Sequence, residues 1–293
     1  MKSGFIAIIG RPNAGKSTLL NNLLNRKLAI TTYKAQTTRN AILGILNEDD
    51  YQIVFVDTPG IHNAKSALGS YMNKEAYAQA NGADLIFYLV DGNKGLQRED
   101  EEVLETIFSY DIPVFLLMNK IDEFSSDLLI SRLNYANTHY DFAEIIPISA
   151  LKKDNLDELL TVAKQYLQEG VQYFPEDAIT NVSTRFTVSE IIREKVILNT
   201  YEEIPHFVAV NIEEYKETEK RLYIEATIIV NKDTHKGIVI GKQGTMLRKI
   251  NEAATKDITK LIGKKVILSL YVRVEEDWLN KEKRLFELGY FYE

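Results

Sequence analysis

The 293-residue sequence contains no cysteine, which excludes disulfide bridges and thiolate metal centres. It also lacks any apolar run of about 18 residues or more, the length that a membrane-spanning helix needs. The apolar stretch near the N-terminus, Gly4 to Gly10, is only seven residues long and too short for a secretory signal. These absences predict a soluble, cytoplasmic protein.

The sequence also lacks a general excess of positive charge, because its net charge is −7. This net negative charge argues weakly against nucleic acid as a partner. The distribution qualifies that argument. Residues 178–293 carry 19 basic and 18 acidic residues, whereas the rest carries 16 and 24. Within the second part, residues 232–265 hold nine basic and three acidic residues. At roughly 150 residues per domain, the length and this asymmetry predict two domains with different tasks.

The first part alternates apolar, strand-like runs with helical patterns, which predicts a doubly wound, mostly parallel α/β sheet. Ligands of such sheets bind at the carboxyl ends of the strands. A hairpin, Ala41–Glu48 with Tyr51–Asp57, interrupts the alternation. The other predicted strands are Phe5–Gly10, Leu85–Asp91, Pro113–Asn119 and Ile145–Ser149, and the helices are Lys16–Leu24, Ser70–Asn81, Glu99–Ser109, Asp127–Thr138 and Asn155–Gln168.

The pattern changes after Gln168 and predicts a smaller α+β domain. We place a first domain at residues 1–170, a linker at 171–182 and a second domain with a C-terminal helix at 183–293. The elements predicted in the second part are a helix Val188–Asn199, strands Phe207–Glu213 and Arg221–Val230, a short segment ending at Gly241–Gly244, a helix Met246–Ile262, a strand Val266–Val274 and a terminal helix Trp278–Leu288.

The sequence GRPNAGKS directly follows the first predicted strand and opens a helix, the context of a phosphate-binding loop. Its glycines let main-chain N–H groups surround phosphate oxygens at the positive end of the helix. Lys16 is expected to reach the β- and γ-phosphates and Ser17 to bind Mg²⁺. The alternative is an ordinary glycine-rich turn with a surface lysine. The predicted nucleotide contacts here are Gly10, Arg11, Pro12, Asn13, Ala14, Gly15, Lys16, Ser17 and Thr18.

Two further segments fit the γ-phosphate side of such a site. In Asp57-Thr58-Pro59-Gly60 the aspartate is expected to hold Mg²⁺ through water, and the N–H of Gly60 to meet the γ-phosphate. In the polar stretch Gln36–Arg39, a threonine hydroxyl is expected to complete the Mg²⁺ shell and order the loop when the γ-phosphate is present. We favour Thr38 over Thr37, and an ordinary loop is the alternative.

The segment Asn119-Lys120-Ile121-Asp122 follows the next predicted strand and predicts selectivity for guanine. A carboxylate at Asp122 accepts from the ring N1–H and the exocyclic N2–H₂ together, and adenine offers no such pair. Asn119 is expected on the opposite edge of the base and Lys120 along its face. In the next strand's loop, Ser149-Ala150-Leu151 can present a main-chain N–H to guanine O6. The alternative for Asn119–Asp122 is a strand that ends in a polar turn, and Ser149-Ala150-Leu151 is a weak signal by itself.

Together these segments resemble the translation-factor-like GTPases, over residues 1 to about 170. The resemblance implies catalytic roles for Lys16, Thr38 and Gly60. One departure matters: Ile61 stands where Ras-type enzymes carry a water-orienting glutamine, which predicts slow intrinsic hydrolysis. Asn13 is similar to the asparagine that holds K⁺ in cation-assisted relatives, where the ion acts as a fixed positive charge. We expect His62 to have a surface or packing role rather than to act as a base.

A second motif, Gly241-Lys242-Gln243-Gly244, fits the G-x-x-G loop that lets an RNA backbone approach between two helices while an apolar groove receives bases. A pair of packing glycines is the alternative reading. The order of the predicted elements resembles the type II KH domain. The residues predicted to bind RNA are Ile240, Gly241, Lys242, Gln243, Gly244, Arg248 and Lys249.

The two parts together closely resemble the Era family of bacterial GTPases over essentially the whole chain. The resemblance implies GTP and GDP as ligands, Mg²⁺ as cofactor, and K⁺ as a further candidate. It further implies binding to the single-stranded 3′ end of small-subunit (16S) ribosomal RNA, a role in assembly of the 30S subunit, and a peripheral contact with the inner face of the cell membrane. We expect a monomer.

The expected mechanism is a switch in which the GTP-ordered loops touch the second domain or the linker, so that GTP and RNA affinities are linked. Within this reading the RNA target could differ, or the protein could regulate cell growth or division. Three other classes stay open: an ATP-using kinase or ATPase, a structural RNA-binding protein with an inactive nucleotide loop, and a tRNA-modifying GTPase.

Overall fold

The computed structural model describes residues 1–32, 38–201 and 203–290. The described chain divides into two compact units. The first comprises residues 1–31, 38–64 and 69–181, and the main body of the second begins at Val182. Within the described residues, no helix is long and apolar enough to span a membrane.

A seven-stranded sheet forms the centre of the first unit. Its main path runs β2-β3-β1-β4-β5-β6, parallel except for the β2–β3 hairpin, and β7 pairs antiparallel with the start of β1. The strands are β1 (Lys2–Gly10), β2 (Ile42–Asn47), β3 (Tyr51–Asp57), β4 (Leu85–Asp91), β5 (Val114–Asn119), β6 (Glu144–Pro147) and β7 (Gln168–Glu169).

Continuous apolar runs produce this sheet because helices cover both of its faces. Every residue of β3 and of β5 is buried. Among the helices that cover the sheet, α3 (Arg98–Phe108) is amphipathic and turns Val103, Leu104 and Ile107 inward. The helices of the first unit are α1 (Lys16–Leu23), α2 (Ala67–Asn81), α3 (Arg98–Phe108), α4 (Ser126–His139) and α5 (Leu156–Tyr166).

Residues 171–181, here called the connector, lie against the first unit. The side chain of Gln52 is fully buried, and its Oε1 accepts from the N–H groups of Tyr173 and Phe174 at 2.8 and 3.0 Å. Further on, the N–H of Ile45 donates to the carbonyl of Ile179 at 2.9 Å. The connector therefore supplies main-chain partners to the outer edge of β2, in the stretch predicted as a linker.

The second unit is a three-stranded sheet, ordered β10-β9-β8, with helices packed on it. β10 runs parallel to β9, and β8 runs antiparallel to β9. Val196, Ile228 and Ile250 are among the fully buried side chains of its core. The elements are α6 (Thr184–Asn199), β8 (Ala209–Glu217), β9 (Arg221–Val230), α7 (Asp233–Ile240), α8 (Thr245–Ile262), β10 (Lys265–Val274) and α9 (Glu282–Glu287).

The predicted fold class is confirmed: a doubly wound, mostly parallel α/β unit precedes a smaller α+β unit. The main difference lies at the C-terminus, where one helix was expected over Trp278–Leu288. A short 3₁₀ turn, Trp278–Asn280, precedes α9 instead. Trp278 is fully buried and donates through Nε1 to the carbonyl of Phe207 at 3.2 Å. Burial of the indole thus overrides the helical pattern around it.

Candidate nucleotide and RNA sites

The loop Gly10–Ser17 joins β1 to α1 and surrounds the ammonium group of Lys16. Lys16 Nζ donates to the carbonyls of Gly10 and Arg11, each at 3.0 Å. Gly15 has φ of +106°, and a Cβ there would collide with the side-chain amide of Asn119. Only glycine therefore allows the loop to pass so close to the β5 end. This is the loop whose main-chain N–H groups are predicted to bind phosphate oxygens.

The other residues of the loop contact different parts of the first unit or lie exposed. Arg11 lies near α3, with Nη1 at 3.5 Å from a Glu99 oxygen and 3.7 Å from an Asp100 oxygen. Asn13 is exposed with φ of +66°, a left-handed conformation. Pro12 lies against Gly60 so closely that a Cβ on Gly60 would come within 2.8 Å of the Pro12 nitrogen. The loop thus contacts the segment predicted to meet the γ-phosphate.

Three side-chain oxygens meet where Mg²⁺ is expected. Ser17 Oγ lies 2.7 Å from Asp57 Oδ2 and 2.8 Å from Thr38 Oγ1, and Thr38 Oγ1 lies 3.2 Å from the same carboxylate oxygen. Asp57 is fully buried, and within the described chain its Oδ1 has no hydrogen-bond partner. Hydroxyl and carboxylate oxygens suit Mg²⁺, a hard cation that keeps several of its waters. These residues therefore fit the ion. Gln36 and Thr37 lie outside the described residues.

Burial shifts the pKa values of both charged groups in this corner. It raises the pKa of Asp57 to about 6, against the lowering effects of Lys16, Ser17 and Thr38. It lowers the pKa of Lys16 to about 8, against the raising effect of Asp57. A bound cation and bound phosphates would favour the charged form of each group. Burial thus disfavours the charged forms of Asp57 and Lys16, and Mg²⁺ and phosphates would favour them.

The segment after β3 is fixed to the sheet and to α2. Thr58 Oγ1 donates to the carbonyl of Ile8 at 2.8 Å. Ile61 follows the Pro59-Gly60 turn and is 7% exposed, inside the apolar core. The main chain of His62 accepts from Asn73 Nδ2 at 2.7 Å and donates to Asn73 Oδ1 at 3.3 Å. Ile61 thus faces the core rather than any position from which a side chain could orient water.

The predicted guanine motif is tied to the phosphate loop and to the loop after β6. Asn119 is 2% exposed, donates through Nδ2 to the carbonyl of Ala14 at 2.7 Å and accepts from the Ala150 N–H at 2.8 Å. Ser149 is buried, and its Oγ accepts from the Lys152 N–H at 3.0 Å. The side chains of Asp122 and Leu151 are exposed. The structure thus brings together all the predicted segments of the site that it describes.

A cavity of about 430 Å³ adjoins these segments. It includes two residues predicted from the sequence, Thr18 and Leu151, and three basic side chains that were not predicted, Arg26, Lys27 and Lys153. Sequence analysis also missed Asp91, whose Oδ2 lies 2.7 Å from Lys120 Nζ. Its position at the carboxyl end of a central strand was the available signal, because ligand-binding residues of such sheets gather there.

In the second unit, Gly241–Gly244 forms a tight turn between α7 and α8. Gly241 has φ of +72°, and a Cβ there would lie 2.7 Å from the Cβ of Met246. Gln243 is left-handed as well, with φ of +53°. Glycine at 241 is therefore required by close packing, and the turn leaves its Lys242 and Gln243 side chains exposed. This arrangement suits close approach of an RNA backbone.

The other predicted RNA contacts surround this turn. Arg248 and Lys249 are exposed on the first turns of α8, while Ile240 at the end of α7 is partly buried. Ile238 on α7 is 50% exposed and was not predicted. An exposed aliphatic residue beside a basic turn offers apolar contact to a base while the turn contacts the RNA backbone.

Comparisons with known proteins match both units. The family model described as 50S ribosome-binding GTPase matches residues 5–120, and the KH domain model matches residues 203–279. GTPase Era from Clostridium kluyveri is 48% identical over 291 residues, which is 99% of each chain.

Two solved structures match over the full length of both chains with 40% identity. One is a crystal structure of Era in complex with MgGDPNP and nucleotides 1506–1542 of 16S ribosomal RNA, with a TM-score of 0.97. The other is a variant of Aquifex aeolicus Era bound to GDP and AlF₄⁻, with a TM-score of 0.96.

Proposed function

The chain belongs to the Era family of GTPases, and on that premise we propose that it acts in assembly of the small ribosomal subunit through GTP-dependent binding of ribosomal RNA. The nucleotide half rests on one observation above all: Ser17, Thr38 and Asp57 converge beside the phosphate loop. The RNA half rests on the exposed basic turn Gly241–Gly244 and on the relative whose structure contains 16S ribosomal RNA.

In the proposed reaction, GTP is hydrolysed to GDP and phosphate. Ser17, Thr38 and Asp57 would hold Mg²⁺, and the bound ion would offset the negative charge of the phosphates. Lys16 leaves its two carbonyl partners to bind the β- and γ-phosphates, and the Gly60 N–H donates to the γ-phosphate. Because Ile61 is buried in the core, no side chain at that position orients the attacking water. We therefore expect slow turnover by the protein alone.

Asn13 is the proposed holder of K⁺. Its side chain is exposed on the phosphate loop, in a left-handed backbone conformation that asparagine tolerates well. A monovalent cation beside the phosphates would supply a fixed positive charge to the transition state. Turnover should be faster in K⁺ than in Na⁺ at equal ionic strength, and Asn13→Ala should remove the difference. Equal rates for the unaltered protein would refute the K⁺ proposal and leave Mg²⁺-dependent hydrolysis standing.

Guanine selectivity is tested by competition. A fluorescent GDP analogue bound to the full chain should be displaced by GTP and GDP at concentrations far below those of ATP. The physical reason is that adenine would leave the Asp122 carboxylate without its pair of donors. Equal displacement by ATP would favour the ATP-using alternative. A Lys16→Ala variant that retained both nucleotide binding and function would favour the alternative of an inactive nucleotide loop.

The RNA target is the single-stranded 3′ end of 16S ribosomal RNA. Crosslinking to cellular RNA, with sequencing of the bound fragments, should enrich that end in preference to other RNAs. Enrichment of a different RNA would favour the alternatives, another RNA target or regulation of growth and division. The 50S description belongs to the model that matches only residues 5–120, outside the unit to which we assign RNA recognition.

The strength of RNA binding should depend on salt and on the nucleotide. About four clamped phosphates predict a slope of roughly −2 to −3 in a plot of log affinity against log salt concentration. Replacing Lys242 and Lys249 by alanine should weaken binding and flatten that slope, while Lys283→Ala on α9 serves as the control. Affinity should also differ between GDP and a non-hydrolysable GTP analogue. Identical affinities would refute the coupling.

Cytoplasmic location, peripheral contact with the membrane and a monomeric state complete the proposal. Vesicle flotation with anionic and neutral lipids tests the membrane contact, and light scattering after size exclusion tests the monomer. The G-domain and KH-domain boundaries, residues 1–170 and 183–293 with a linker between them, also remain part of the proposal.

A further inference from the structure

We propose that Asp91 is a positioning residue for nucleotide binding, which fixes the Lys120 ammonium so that the aliphatic stem of Lys120 covers one face of the guanine base. The inference rests on the proposed guanine site, in which Lys120 lies along the base. Asp91 belongs to none of the motifs that define that site. Its role follows from its place at the end of β4 and from its contacts.

The topology places Asp91 beside the guanine motif. β4 and β5 run parallel, and Asp91 is in register with Asn119 at the last pair of the ladder. Asp91 Oδ2 lies 2.7 Å from Lys120 Nζ, and the two side chains are only 16% and 26% exposed. Just beyond Asp91, the Gly92 N–H donates to the Asn119 carbonyl at 2.8 Å. The two strand ends are thus bound to each other by main chain and side chain.

The main chain of Lys120 is already immobilised, which leaves only its long side chain to be placed. Lys120 has φ of +69°, in the left-handed region that side chains with a Cβ rarely adopt. The surrounding hydrogen bonds hold it there: its carbonyl accepts from the Glu123 N–H at 2.9 Å, and the next N–H, that of Ile121, donates to Ile148 at 3.2 Å. A lysine stem keeps several freely rotating bonds. The ion pair with Asp91 removes that freedom before the base arrives.

Asp91 is itself fixed by its own turn. Its Oδ1 accepts from the Asn93 N–H at 3.1 Å, and its carbonyl accepts from the N–H groups of Lys94 and Gly95 at 3.0 and 2.9 Å. The second carboxylate oxygen is thereby directed at Lys120. This pairing also gives the ammonium a partner other than Asp122, two residues further along, whose carboxylate must accept from guanine.

The test compares GDP and GTP affinities and hydrolysis kinetics of full-length Asp91→Asn, Lys120→Ala and the double variant. Asparagine keeps the shape and the acceptor for Asn93 but removes the charge. We expect Asp91→Asn to weaken GDP and GTP about equally, by roughly five- to tenfold, and to raise KM rather than lower kcat. Because Asp91 acts through Lys120, adding Asp91→Asn to Lys120→Ala should cause little further loss.

The matched control is Asp84→Asn. Asp84 directly precedes β4, at the end of the strand away from Asp91, and its Oδ2 accepts from the Phe5 N–H at 2.7 Å. This variant should affect melting temperature and not nucleotide affinity. Unchanged affinity in Asp91→Asn, a loss confined to melting temperature, or additive effects in the double variant would overturn the positioning role. If Lys120→Ala binds GDP as tightly as the unaltered protein, the proposed guanine site itself fails.

Discussion

The side-chain amide of Asn119 donates to the carbonyl oxygen of Ala14 across 2.7 Å, joining residues 105 positions apart. The same side chain accepts from the N–H of Ala150 at 2.8 Å. One buried asparagine thus connects the phosphate loop, the predicted guanine motif and the loop after β6. The segments predicted to bind phosphate and base are therefore joined by direct hydrogen bonds.

Replacing Asn119 by alanine should disrupt this connection. It leaves a buried carbonyl and a buried N–H without partners, at about 1–3 kcal/mol each. GDP affinity should fall by at least roughly tenfold, and the melting temperature should fall with it. Fluorescent nucleotide titration and thermal unfolding measure the two effects. Asn134→Ala, at an exposed position of α4, is the control. A variant that binds GDP normally would show that the connection is dispensable.

The affinity for Mg²⁺ and GDP should pass through a maximum between about pH 6 and pH 8. Mg²⁺ requires the ionised Asp57 carboxylate, whose pKa is raised to about 6, so protons compete with the ion below that pH. Phosphates require the charged Lys16 ammonium, whose pKa is lowered to about 8, so affinity declines above that pH.

Calorimetric titration of the protein with Mg²⁺ and GDP, from below pH 6 to above pH 8, measures both the acidic limb and the alkaline limb of the affinity profile. Asp57→Asn should weaken binding and lose the part of the acidic limb that comes from the protein, leaving only the titration of the phosphates. It should retain the alkaline limb. If the loss of affinity at low pH is unchanged in Asp57→Asn, that loss comes wholly from the nucleotide.

Asp122→Asn should change the preferred base from guanine to xanthine. The side-chain N–H₂ of asparagine would face the N2–H₂ of guanine, so that two donors meet. Xanthine carries a carbonyl at C2 instead, and that oxygen accepts from the N–H₂. We expect GDP affinity to fall by about a hundredfold or more and xanthosine diphosphate to bind more tightly than GDP. Displacement titrations measure both. Glu123→Gln, at the next residue, should keep the guanine preference, and a retained preference in Asp122→Asn would place base recognition elsewhere.

Gln52→Ala should release the connector from the first unit. It removes the acceptor for two N–H groups and the donor to the carbonyl of Phe174 at 2.9 Å. Each unpaired group costs about 1–3 kcal/mol if it stays buried, so local opening is favoured. Chymotrypsin should then cleave after Tyr173 faster than in the unaltered protein. Gln79→Ala on α2 is the control, and an unchanged cleavage rate would show that other contacts suffice.

Sequence patterns predicted most of the sheet because its strands are buried on both faces. β3 and β4 were predicted from continuous apolar runs and have the predicted bounds, and the mostly parallel arrangement was predicted from the alternation of strands and helices. The strand β7 was missed, since two residues carry no periodicity. α2 begins at Ala67, three residues before the predicted start at Ser70. The division of the terminal helix depends on burial of Trp278, a tertiary effect.

The site was predictable to the extent that its residues form motifs. Lys16, Asp57 and Asp122 follow from spacing alone, and the shared carboxyl edge of the parallel strands explains why they gather. Asp91 does not, because a single aspartate after a strand is common and its partner becomes apparent only from the β4–β5 register. The three basic residues of the cavity carry no pattern either.

The connector also determines where the nucleotide-binding unit can be cut from the chain. Main-chain groups of β2 that pair with residues 178–181 would otherwise be displayed on a bare sheet margin, ready to recruit a strand from another molecule. A recombinant fragment that stops at residue 170 should therefore self-associate, whereas one extended to Asn181 carries its own protective border.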